Sequence, residues 1–183
     1  MFDLDQFIGK CQSALDDPRP AQRIEALVKE AISDPNAVRE AFAGASNAER
    51  QGPITFAWRD ASLSVADVTT PPGLKSPAHN HEMWAVIGVY DGQEHNRFYR
   101  YEDGKLHEKG ERLLKEGDVA VLGPEVVHAI ANPLPSNSSA IHVYGGDLVE
   151  RSNRSMWNPH TDEREEYDIT RLIAYVTEIS VSQ

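Results

Sequence analysis

His79 and His81 form a His-x-His pair just ahead of an apolar run that begins at Trp84. On a β-strand, residues two apart point to one face, so the two imidazoles converge with backbones about 6–7 Å apart. Imidazole suits iron, zinc, copper and nickel, which makes the pair a natural start for a metal site. On its own, the pair reads equally well as two surface histidines near a turn. Cys11 is the single cysteine of the 183-residue chain, so an internal disulfide and a cysteine-based zinc cluster are both excluded. Any metal must be held by histidines and carboxylates. No glycine-rich phosphate loop and no internal repeat is present.

The elements that would position such a site change character near residue 50. Leu4, Phe7, Ile8, Cys11 and Leu15 recur at helical spacing, as do Ile24, Leu27, Val28, Ala31 and Ile32. Cys11 sits on the apolar stripe and is expected to fill a core slot. Asp34-Pro35 predicts the N-cap and first turn of a third helix through Val38, Ala41 and Phe42, ending at Gly44. From about 53 to 145 the pattern becomes one of short strands: Thr55–Trp58, the alternating Leu63, Val65 and Val68, then Trp84–Tyr90, Phe98-Tyr99, Val119–Leu122, His128–Ala131 and Ile141–Tyr144. Asp103-Gly104 signals a hairpin. Many short strands with Gly, Pro and Asn turns predict a mainly β sandwich or barrel behind N-terminal α-helices. Beyond Gly145-Gly146 the chain reads as irregular and polar, with 162–166 a solvated charge run. Leu172, Ile173 and Val176 fit a final helix packed on the barrel. The expected division is a helical segment, 1–50, packed on a barrel with a C-terminal extension, 51–183, as one structural domain.

Composition narrows the partners. Eighteen Lys and Arg against 29 Asp and Glu give a net charge of −11, a poor match to a phosphate backbone or an anionic membrane. No run of about 18 apolar residues is present to form a spanning helix. The acidic start MFDLDQFIGK lacks the cationic region of a signal peptide, so a cytoplasmic location is expected. No nucleic acid and no membrane is expected as partner.

The histidine pair is embedded in a larger spacing. Gly73 precedes His79 by six positions and Gly92 follows His81 by eleven; downstream come Gly117, Gly123-Pro124, His128 and Asn132. These two segments resemble the paired motifs of the cupin superfamily, with Gly123-Pro124-Glu125 in place of the second motif's Pro-x-Gly. The resemblance implies a cupin double-stranded β-helix (a jelly-roll barrel) and a metal centre at His79, His81 and His128. The glutamate ligand of the first motif would fall at Ala85 or Val86, neither of which binds metal. Glu82 would face away from His81, and Glu94, past the turn at Gly92, is expected outside the ligand set. Three ligands leave positions open for substrate and oxygen.

Within the cupins, HNHEMWAVIGVYDGQEHNRFYR and IHVYGGDL resemble the bacterial thiol dioxygenases of the cysteine and 3-mercaptopropionate type, over roughly Leu4 to Tyr167. In that family three histidines hold Fe(II) without a carboxylate. The resemblance therefore implies a non-heme Fe(II) dioxygenase that takes a small thiol carboxylate and O2 to the sulfinate. It also implies that Tyr144, oriented by His142, donates a hydrogen bond toward the reacting centre. The family's Ser-x-His-x-Tyr triad reads Ala140-Ile141-His142-Val143-Tyr144 here, so the serine is missing. Arg154 and Arg59 are the two candidates for the substrate carboxylate, with Arg151 a near neighbour; a guanidinium fork can bind both oxygens at once. Met83 and Trp84 are candidates for the pocket wall, Trp84 equally for the core. Cupins often pair, which makes a homodimer the oligomer to test. Two alternatives stay open: a three-histidine oxygenase that cleaves a C–C bond of a diketone or hydroxyketone, and a non-catalytic metal- or ligand-binding cupin.

Overall fold

The computed structural model describes residues 2–46 and 48–181. Three helices come first: α1 (Leu4–Ala14), α2 (Pro20–Ala31) and α3 (Pro35–Ala43). Asp3 caps α1 by accepting from the Gln6 N–H at 2.9 Å, and Asp34 caps α3 by accepting from Ala37 N–H at 3.2 Å. Their apolar stripes, with Cys11 fully buried, pack against Leu63, Val65, Val86, Ile141 and Val143 of the following sheet. The fit is close: a Cβ on Gly88 would stand 2.3 Å from Val28 Cγ1, so only glycine lets α2 approach the sheet here.

The strands are β1 (Glu49–Gln51), β2 (Ile54–Arg59), β3 (Ser64–Thr70), β4 (His79–Asn80), β5 (Ala85–Asp91), β6 (Gln93–Glu102), β7 (Lys105–Lys115), β8 (Val119–Leu122), β9 (Val127–Ala131), β10 (Ser138–Tyr144), β11 (Ser155–Trp157) and β12 (Arg164–Glu166). They form two six-stranded antiparallel sheets, ordered β1-β2-β3-β10-β5-β8 and β12-β11-β4-β9-β6-β7. The pairing is nested: β6 with β7, β5 with β8, β4 with β9 and β3 with β10. One long antiparallel ribbon therefore coils, its successive rungs alternating between sheets, into a double-stranded β-helix behind N-terminal helices. Gly92 makes the turn from β5 to β6 at φ +72, and a Cβ there would lie 3.1 Å from the Asn137 carbonyl oxygen.

Strand alternation separates two cores. On β10, Ile141 and Val143 face the helices, while Ala140 and Tyr144 join Ala66, Ala85 and Ile87 inside the barrel. Trp84 packs on the helix-side core, its indole lying over Gly145, so it does not wall the barrel interior. Met83 is interior, packed in the same core as Tyr144.

The C-terminal segment differs from its sequence reading. β11 and β12 extend the second sheet through a stretch expected to be irregular, and the charge run 162–166 includes β12. α4 (Ile169–Val181) follows, tied down where the Tyr175 hydroxyl donates to Glu165 and Lys75 N–H donates to Ser180 Oγ. Leu172 and Val176 are half-buried, but Ile173 is 47% exposed and does not pack on the barrel. No described helix is long and apolar enough to cross a membrane.

Candidate metal centre

Register brings the histidines together. His79 on β4 stands directly opposite His128 on β9, and His81 follows on the same face just past the end of β4. The three rings stand with centroids 4.7–5.1 Å apart, and one ring nitrogen from each falls within 4.8 Å of the others. His81 and His128 are buried and His79 partly so.

The hydrogen bonds aim the ligand atoms inward. Nδ1 of His79 meets the Pro77 carbonyl at 3.1 Å and must carry the proton, which leaves Nε2 bare. Nδ1 of His128 meets Asn96 Oδ1 at 2.8 Å, while its Nε2 is buried with no partner among the described residues. A buried nitrogen lone pair without a partner is costly unless an ion takes it, so the donor set fits a divalent transition metal. Burial holds His79 down at about 4 and, joined by the neighbouring imidazoles, holds His81 and His128 well below the ordinary histidine range. All three are thus neutral at pH 7, as metal ligation requires.

Ala85 occupies the interior position where a carboxylate ligand would project, and Val86 faces the helices. Glu82 accepts from Asn80 Nδ2 and is not in the cluster.

The opposite sheet contributes His142 and Tyr144, both buried, with His142 Nδ1 and the Tyr144 hydroxyl 2.8 Å apart. The Tyr144 ring meets His81 edge-on at 5.1 Å. Burial raises the Tyr144 hydroxyl above the ordinary phenol range, so it stays protonated. Ala140 offers no hydroxyl to His142, and the Ser139 hydroxyl pairs with Thr69 at 3.1 Å, away from the interior.

The candidate arginines separate. Arg154 is 5% exposed and lies flat over Tyr167 at 3.6 Å; Nε and Nη1 donate to the Asn80 and Leu148 carbonyls. No described carboxylate lies within ion-pair distance of it. Its charge reaches His79, His81 and Tyr144, lowering the proton affinity of all three. Arg59, by contrast, is spent: Nη1 donates to both Asp147 oxygens at 2.8 Å, and Nη2 meets Glu49 at 3.0 Å. The Arg59 guanidinium is thus matched by two carboxylates in this structure, whereas Arg154 is not. Arg151 is exposed and donates to the Glu82 carbonyl.

Two further interior residues stand here: Glu94, expected from the sequence only as a group outside the ligand set, and Asn96, which the sequence reading did not single out. Glu94 and Asn96, both buried, project inward from β6 beside His128. Asn96 Nδ2 donates to Glu94 Oε1 at 2.8 Å, and Glu94 Oε2 stands 3.7 Å from His142 Nε2 across the barrel. Burial alone would raise the Glu94 carboxyl, but His142 and the Asn96 amide outweigh it and hold the group below the ordinary range. The 3.7 Å contact is an ion-pair distance, longer than a hydrogen bond. The sequence signal for the pair was the alternation of Glu94, Asn96 and Phe98 on one strand face.

The fold and site define a double-stranded β-helix with a buried cluster of three histidines. No protein-family model matches the chain. Among solved structures it is similar to an RmlC-like cupin family protein from Methanocaldococcus jannaschii, at 14% identity over 56% of this chain and 92% of that one, TM-score 0.44. It is also similar to a recombinant oxalate oxidase in complex with glycolate, at 19% identity over 46% and 42% of the two chains, TM-score 0.40. Peruvianin-I, a cysteine peptidase from Thevetia peruviana latex, matches at 17% identity over 46% and 51%, TM-score 0.39. The chain thus spans about half the length of these last two proteins.

Proposed function

We propose that the protein is a non-heme Fe(II) dioxygenase that oxidises a small thiol carboxylate, 3-mercaptopropionate or cysteine, to its sulfinate. The observation that carries this reading is the pairing of an all-imidazole centre with a buried guanidinium that has no carboxylate partner among the described residues. His79, His81 and His128 would hold the iron; when bound, it supplies thiolate ligation and O2 activation. Arg154 would receive the carboxylate of the substrate, and that anchorage fixes where the sulfur sits, lowering the entropic part of the barrier. His142 and Tyr144 stand beside the ligands on the facing sheet. In the overall change, both atoms of O2 end on sulfur, the thiol is oxidised to the sulfinic acid, and O2 is the only oxidant required.

The test is oxygen uptake by the Fe(II)-loaded protein with 3-mercaptopropionate and cysteine as separate substrates. One thiol is expected to consume one O2 per sulfinate formed. Silence with both thiols while iron remains bound refutes the reading.

The depressed histidines set an expected pH response. Unfolded imidazoles protonate near pH 6.5, whereas the folded His79 does so only near 4. Between those values the unfolded chain binds more protons, so the metal-free protein loses stability as the pH falls from about 6.5 toward 4. Melting temperature of the metal-free protein, followed from pH 7.5 to 4.5, should decline across this window. A flat profile would show that the three rings are solvated rather than buried.

A further inference from the structure

A continuous chain of buried polar groups joins the proposed metal ligand His128 to Tyr144, crossing from one sheet to the other. It runs His128, Asn96, Glu94, His142, Tyr144, with steps of 2.8, 2.8, 3.7 and 2.8 Å. Each member is at most 4% exposed. We propose that Glu94 and Asn96 are positioning residues that fix the direction of every hydrogen bond in this chain. The Tyr144 hydroxyl then donates to His142 and keeps its oxygen as the acceptor offered to a bound ligand.

The argument starts at His128 and follows the donors and acceptors in order, with a single proton on the His142 ring. Nε2 of His128 faces the other two ligands, so Nδ1 holds the proton and donates to Asn96 Oδ1. That orients the amide, and Asn96 Nδ2 must donate to Glu94 Oε1. Glu94, a carboxylate with one oxygen so engaged, can only accept with the other. His142 Nε2 stands 3.7 Å from Oε2 and makes no hydrogen bond among the described residues. With one ring proton, held on Nε2 against the carboxylate, His142 has Nδ1 left to accept. Only the Tyr144 hydroxyl is placed to give it a hydrogen. Glu94 thus anchors His142 where Ala140 has nothing to offer. The direction at Tyr144 is the reverse of the sequence expectation: the group of a ligand that meets this oxygen must be a donor.

This inference rests on the metal-centre part of the proposed function and is independent of the thiol substrate. The test uses full-length protein loaded with Zn(II), which is diamagnetic, and ¹⁵N-labelled histidine read by long-range proton–nitrogen correlation. Wild type should bind one zinc per chain and show His142 protonated on Nε2 alone. In Glu94→Gln the side-chain oxygen must still face the Asn96 amide, so the new amide faces Nε2. The ring proton should move to Nδ1 with zinc stoichiometry unchanged. A group that merely filled space would leave the tautomer where it was. In the Fe(II)-loaded enzyme the same variant should lower kcat about 10- to 100-fold. Zinc that fails to engage the three histidines overturns the metal reading. Zinc bound normally, with His142 protonated on Nδ1 or on both nitrogens in wild type, overturns this proposal alone. So does an Nε2 proton that stays in place in Glu94→Gln. The wild-type measurement decides even where the variant fails to fold.

Discussion

On replacement of His128 by alanine, the protein is expected to lose stoichiometric metal binding, and with it all metal-dependent activity. His128 is the ligand supplied by β9; the other two come from one short stretch of chain, His79 to His81. Removing it leaves two imidazoles on one side of the centre. Loss of a group that only orients a ligand costs about 10- to 100-fold in metal affinity, so loss of the ligand itself should exceed 100-fold. Titration with Zn(II) or Co(II), followed by metal analysis after desalting, reads the effect directly. The substitution has a structural cost of its own, because Asn96 Oδ1 is left buried without a donor, at about 1–3 kcal/mol. Melting temperature without added metal separates that loss from the loss of the metal. His128→Ala protein that still retains one metal per chain after desalting would sink the site.

Two of the three candidate ligands were legible because strand geometry is periodic: residues two apart share a face, which makes His79 and His81 neighbours from the sequence alone, while His128 entered only through the resemblance to the second cupin motif. The helices were legible for the same reason, since their stripes and the Asp-Pro start at 34–35 are local signals. Partnerships across the barrel were not. Arg59 and Arg154 are the same residue type, and only the fold brings Glu49 and Asp147 to the first and, among the described residues, no carboxylate to the second. Glu94 looked peripheral because it follows a turn; its role depends on His142, 48 positions later on the opposite sheet. Likewise, an apolar stripe on α4 does not say which of its residues the barrel covers, and Ile173 is left in solvent.

The electrostatics of the site make sense of its unusual ligand set. Three neutral imidazoles bring no negative charge to a divalent cation, and Glu94 lies outside the ligand cluster. With a divalent cation bound as proposed, the centre and Arg154 together would outweigh the buried Glu94 carboxylate, whose charge also reaches His79 and Tyr144. On the proposed function, charge balance would then favour an anionic ligand with two negative groups, a thiolate for the metal and a carboxylate for the guanidinium.

That argument makes Arg154 the most informative residue after the ligands. Arg154→Ala is expected to lower kcat/KM for a thiol carboxylate by about 30- to several-thousand-fold. This corresponds to about 2–5 kcal/mol for removing one partner of a buried charge pair, at 1.4 kcal/mol per tenfold. Because Arg154 also serves the Asn80 and Leu148 carbonyls and stacks on Tyr167, some loss of stability must accompany the change. A cycle removes that ambiguity: wild type and variant are each compared on 3-mercaptopropionate and on 3-mercaptopropanol, which lacks the carboxylate. Wild type should prefer the acid strongly, and the variant should treat both alike, whatever its overall activity. Arg154→Lys should recover only part of the preference, since an ammonium is a point charge and lacks the fork that binds two carboxylate oxygens. If Arg154→Ala keeps the wild-type preference, the carboxylate is bound elsewhere and the thiol assignment loses its selecting residue. If it keeps full O2 consumption on a diketone while neither protein consumes O2 with thiols, the centre is that of a carbon–carbon cleaving oxygenase. Such a substrate has no carboxylate and makes no demand on the guanidinium, so the two chemistries part at this one side chain.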